Sequence, residues 1–152
     1  MPIDVDAITY EPRADKPLDR DAVTRQGLAF AGVPDAVMPQ FSAATFDIVG
    51  AESDWRPSSA NLTRPHREPL LSDRIPRHGE RGLMQLNPEQ FAEFHVEGTS
   101  TNIYDPVASI AAGWRFLAHW YPVDLRTGFG LDEFMARYGQ SVGLPRRCNP
   151  AH

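Results

Sequence analysis

The chain has 152 residues, one cysteine and a formal net charge of −5, from 20 acidic against 15 basic side chains. That length fits one domain with a real core, the acidic balance argues against a general nucleic-acid binder, and lone Cys148 excludes an internal disulfide or a zinc site built from several cysteines. No stretch approaches the ~20 apolar residues of a membrane span, and the opening MPIDVDAITYEPRADK lacks the basic and apolar regions of a secretory signal.

Residues 1–17 are acidic, contain proline and keep no period, and read as an extended or weakly ordered arm. Residues 18–142 hold the periodic segments and form the domain, and 143–152 read as an irregular tail. A first helix is predicted over 19–31, with Val23, Leu28 and Phe30 among its apolar positions, broken by Gly32, Val33 and Pro34. From Met38 the pattern is helical again. Phe41, Thr45, Ile48, Glu52 and Trp55 fall within an arc of roughly 60° at helical spacing, which puts Glu52 on an apolar stripe. Pro57 is expected to end this helix.

Residues 56–81 have no hydrophobic period and carry Arg56, Arg64, Arg67, Arg74, Arg77 and Arg81 against Glu68, Asp73 and Glu80. A segment this long is either a solvated connector or a functional loop, and its arginines would favour anionic chains. The apolar run at 82–86 then closes on Asn87 and Pro88, a cap-plus-proline start with Gln90 at the third helical position. A short helix over 88–95, burying Phe91 and Phe94, follows. Asp105 and Pro106 repeat the start for a strongly amphipathic helix through Val107, Ile110, Ala111, Trp114, Leu117, Ala118 and Tyr121. A last helix over 131–138 is expected to bury Leu131, Phe134, Met135 and Tyr138. The fold class is mostly α, with a long irregular or small β segment between the second helix and residue 82.

The chain has no phosphate-binding glycine loop, no nucleophile elbow and no paired zinc-ligand histidines. Its five histidines are scattered, so no metal and no cofactor is expected. Glu52 is what remains. A carboxylate on an apolar face is costly to ionise and can serve as a proton donor. Periodicity alone favours the plainer reading, in which Glu52 ends the stripe and reaches solvent or a loop arginine.

Motif order adds a resemblance. AESDWRPSSAN, GLMQLNPEQF, YDPVASIAAGWRFL and MARYGQS follow one another as the Glu-Ser, Gly-Leu-Met-Gln, Asp-Pro and final Tyr motifs do in the soluble lytic transglycosylase domain of the lysozyme-like superfamily. The chain resembles that family over about residues 19–140. The lead-in GLAFAGVPDAVMPQFSAATFDIVGAESDW looks most like the version in actinobacteriophage tail proteins. Ser109 stands where the family usually has Asn, Gly139 replaces the Asn after Tyr138, and Gln140 and Ser141 replace Ala-Gly.

The resemblance implies a lysozyme-like single domain that cleaves peptidoglycan glycan strands at the cell wall, outside the cytoplasm or from a virion. It implies Glu52 as the catalytic acid/base, forming 1,6-anhydro-muramic ends. Ser53, Met84, Gln85 and Tyr138 are implied as substrate-binding residues, and a larger phage-tail or cell-wall assembly as a partner. A water-using hydrolase of the goose-lysozyme kind is the alternative if Asp73 or Glu80 supplies a second carboxylate. A wall-binding or structural component that keeps the fold without activity is the alternative from another class.

Overall fold

The computed structural model describes residues 2–13, 17–61 and 68–142. Arg64, Arg67, Cys148 and the tail expected at 143–152 lie outside the described residues. Five helices form the framework of the described residues: α1 (Arg20–Ala31), α2 (Met38–Ser53), α3 (Pro88–Phe94), α4 (Pro106–Trp120) and α5 (Leu131–Ser141). None among the described residues is long and apolar enough to cross a membrane.

The helix ends follow local chemistry. The Asp19 side chain accepts from the Ala22 N–H at the start of α1, and Gly32, in the left-handed region at φ 104°, ends it. Asn87 and Gln90 close the capping box of α3 reciprocally, at 2.8 and 3.1 Å. Asp105 accepts from the Ala108 N–H ahead of Pro106 and starts α4.

The centre of the domain is α4. Ala108 to Trp114 are seven consecutive buried residues, so this half of the helix is surrounded rather than merely amphipathic as its spacing suggests. From one side α1 presses Gly27 onto Ile110, and a Cβ on Gly27 would stand 2.6 Å from Ile110 Cγ2. Thr24, Gly27, Leu28 and Ala31 form its buried face, whereas Phe30, expected among the apolar positions, is exposed. From another side α2 sets Phe41 edge-on to Trp114 at 5.1 Å, and the Trp114 indole N–H donates to Thr45 Oγ1 at 2.8 Å. Phe94 of α3 meets Phe116 of α4 edge-on at 5.6 Å.

Two expectations about the end of α2 need correction. The helix stops at Ser53, before Pro57, and Trp55 is not on its stripe. Asp54 and Trp55 both take left-handed backbone, at φ 53° and 60°, an arrangement that costs about 1–3 kcal/mol for such residues. Packing holds it in place. Trp55 folds back onto Phe46 at 4.8 Å, and the Arg20 guanidinium lies 5.2 Å over its ring.

Between α2 and residue 82 the described residues make turns and single antiparallel bridges, Ala60 with Arg81 and Leu70 with Pro76, in place of strands. The N-terminal segment docks rather than trailing. Ile8 is buried, the Thr9 N–H donates to the Thr101 carbonyl at 3.0 Å, and the Ile103 N–H donates to the Thr9 carbonyl at 3.1 Å.

Candidate active site

The sharp turn after Ser53 leaves Glu52 half-buried in the wall of a cavity of about 190 Å³. Ile48 of α2, Met84, Gln85 and Leu86 of the following turn, Gly113, Phe116 and Leu117 of α4, and Tyr138 of α5 share that wall. The Tyr138 hydroxyl donates to Glu52 Oε2 at 2.7 Å. Burial first, then this bond and the charge of Glu52, push the Tyr138 pKa well above its ordinary value. The phenol therefore keeps its proton and presents it to the carboxylate.

Residues 81–86 form a tight turn. The Arg81 and Leu86 backbones exchange bonds of 2.9 and 3.1 Å. Gly82 sits at φ 83°, and a Cβ there would come within 2.8 Å of the Ile103 carbonyl oxygen, so glycine is required twice over. Both amide protons of Gln85 are committed, to the Ser59 carbonyl at 3.1 Å and the Gly82 carbonyl at 2.9 Å. Toward a ligand Gln85 can thus offer only its amide oxygen, an acceptor for a sugar hydroxyl. Met84 enters the wall because α4 has a glycine opposite: a Cβ on Gly113 would lie 2.7 Å from Met84 Cγ. The Met84 N–H donates to Ser109 Oγ at 3.0 Å, in the core. Ser109, the departure from the family's asparagine, therefore anchors the turn from α4.

Glu52, Met84, Gln85 and Tyr138 are brought together, and Ser53 is not. Its hydroxyl is buried and donates back to the Val49 carbonyl at 3.1 Å, one helical turn earlier. Asp54 is exposed and turned to solvent beside Arg56. Sequence reasoning did not single out Gln90, which lines the cavity. Its signal was the capping box, whose bond fixes the side chain at the rim.

The loop arginines divide. Arg74 and Arg77 are exposed, as a recognition role requires. Arg81 is the correction, because it has no exposed side-chain surface. Its Nε donates to Asp73 Oδ2 at 2.7 Å and its Nη2 to Oδ1 at 3.1 Å. Tyr104 also donates to Asp73 Oδ2, at 2.6 Å. Burial would raise the Asp73 pKa, but Arg81 and Tyr104 outweigh it and hold the carboxyl below its ordinary range. Asp73 is thus occupied by the scaffold, whereas Glu80 lines the cavity with Glu52.

The family model described as the Transglycosylase SLT domain matches residues 37–123, more than half of the chain. The chain belongs to the transglycosylase SLT domain family, with a lytic-transglycosylase-type, peptidoglycan-cleaving function in general terms. The match takes in Glu52, Ser53, Met84 and Gln85, and Tyr138 lies beyond it. No curated protein and no solved structure matches the chain.

Proposed function

We propose that Glu52 is the acid/base of a lytic transglycosylase that breaks the bond between N-acetylmuramic acid and N-acetylglucosamine and leaves a 1,6-anhydro end. The observation that carries this reading is the bond from Tyr138 to Glu52 Oε2 inside a cleft walled by the family's Gly-Leu-Met-Gln turn. Protonated Glu52 gives its proton to the glycosidic oxygen as that oxygen leaves the muramoyl C1. The resulting carboxylate takes the proton of the C6 hydroxyl as O6 closes on C1. Tyr138 fixes one carboxylate oxygen, so the other faces the glycan. Met84 supplies apolar floor, and Gln85 supplies an acceptor. The partner is peptidoglycan, and the place of action is the cell wall. The lead-in segment supports delivery as part of a tail or wall assembly.

Glu52→Gln keeps the shape and removes the titrating proton. We expect muropeptide release from purified sacculi to fall by about 10²–10⁴-fold, with an unchanged circular dichroism spectrum and melting temperature. Near-wild-type turnover in this variant would exclude Glu52 as the donor. Binding to sacculi without any release of soluble product by the wild type would mark a wall-binding component instead.

A further inference from the structure

Gln90 and Phe116, which line the Glu52 cavity, also line a larger hollow of about 560 Å³. The two spaces adjoin along those side chains, so the cleft opens into a trough. Phe94, Phe116, Trp120 and Tyr121 give the hollow an aromatic side. Trp120 is 63% exposed, whereas Trp55 and Trp114 are buried. With exposed Tyr121 beside it, it makes an apolar patch of the kind that marks an interaction surface. Both rings have firm backing. The His119 ring meets Trp120 edge-on at 4.9 Å, and Tyr121 packs on Phe134 at 5.1 Å. Phe134 in turn stacks on Tyr138, which bonds Glu52. Phe116 and Trp120 are four residues apart on α4, a rise of about 6 Å, comparable to the advance of one sugar ring along a β-1,4-linked chain.

The chemistry of the hollow selects its occupant. The faces of aromatic rings are electron-rich, which suits the C–H face of a pyranose. The facing side chains are polar. The capping box uses the amide oxygens of Asn87 and Gln90, so these two side chains offer the trough their NH2 donors, and Glu89 and Glu93 offer acceptors. Such edges match hydroxyl and acetamide groups. Among the described residues no arginine, lysine or histidine lines the hollow, so nothing there draws in an anionic peptide. We propose that Trp120 and Tyr121 form a stacking platform for uncharged sugar rings of the glycan strand, remote from the bond that is cut, so that longer strands are held more tightly. Neither residue lies in the segments that carry the family resemblance. The inference rests on the reading of the Glu52 cleft as a glycan site and extends it to strand length, since binding energy from remote parts of a substrate can be used at the reacting bond.

The test is calorimetric binding of peptide-free tetrasaccharides and octasaccharides of the glycan to the Glu52→Gln chain. The octasaccharide is expected to bind more tightly. Adding Trp120→Ala should lower the ratio of octasaccharide to tetrasaccharide affinity about 3- to 10-fold, with an unchanged melting temperature, and Trp120→Phe should restore most of that ratio. Octasaccharide should also shift the tryptophan emission to shorter wavelength, and the shift should vanish in Trp120→Phe, because Trp120 is the exposed indole. Equal affinity for the two lengths, or an unchanged ratio in Trp120→Ala, overturns the platform and leaves Glu52 standing. A ratio that responds to Trp120 while the wild type cuts neither oligomer supports the platform and overturns the reading of Glu52. Binding of neither oligomer overturns the platform together with the glycan reading of the cleft.

Discussion

Tyr138 joins the far end of the chain to Glu52 through a single hydrogen bond of 2.7 Å. Its ring stacks on Phe134 at 6.1 Å, so Tyr138→Phe keeps the packing and removes only the donor. A hydrogen bond to a charged group is worth about 1.5–3 kcal/mol. We expect kcat to fall roughly 10- to 100-fold, with KM and melting temperature nearly unchanged, in initial-rate and thermal-melt measurements. An equal loss in kcat and thermal stability would instead mark Tyr138 as core. At this scale the sequence was partly legible. Glu52 and Tyr138 could be named because motif order carries them. The turned-in hydroxyl of Ser53 could not, because a bond to the carbonyl four residues earlier competes with any outward role and leaves no trace in spacing.

Two helix starts were readable in the chain because their chemistry is local: the Asn87–Gln90 box and Asp105 with Pro106 each act within one turn. Helix surroundings were not. The spacing of α4 indicates one apolar face, yet Ala108 to Trp114 are all buried, with Gly27 of α1 against Ile110, the Met84 turn against Ser109 and Gly113, and Phe41 of α2 against Trp114, which depends on small residues at these contacts. Gly27 is the clearest case. Alanine would gain about 1 kcal/mol of helix propensity but would meet Ile110 at 2.6 Å, a β-branched side chain with little freedom to move. Overpacking of this kind costs about 1–3 kcal/mol. We therefore expect Gly27→Ala to lower the melting temperature, and an unchanged or raised value would show that α1 can slide along α4 at no cost.

Across the whole molecule, one buried node joins three parts that lie far apart in the chain. Arg81 pairs with Asp73, Tyr104 donates to Asp73 from the approach to α4, and Tyr10 of the N-terminal segment lies 5.1 Å from the Arg81 guanidinium. The sequence showed only a basic loop, because burial of Arg81 requires partners found only after folding. Removing one partner of a buried pair costs about 3–5 kcal/mol, so Asp73→Asn should strongly lower the melting temperature at neutral pH. The sign of the pH effect follows from the lowered Asp73 pKa. The pair stabilises fully above the unfolded carboxyl value of about 3.9, and that stability disappears as pH falls through the lower folded value. The melting-temperature gap between wild type and Asp73→Asn is therefore expected to narrow in acid. A gap that stays constant down to strongly acidic pH would show that the pair does not carry this stability.

The bond from α5 to α2 also imposes an order in time. During synthesis Glu52 emerges early, and α1, α2 and α4 can assemble around Trp114 before Tyr138 has left the ribosome. The carboxylate then lacks the phenol that fixes it, so, on the proposed reading of Glu52, cutting power would arrive with α5. The same logic runs in reverse after folding: a protease that clips the exposed turn at Phe129 would disarm the cleft while sparing the contacts of Phe41 and Trp114.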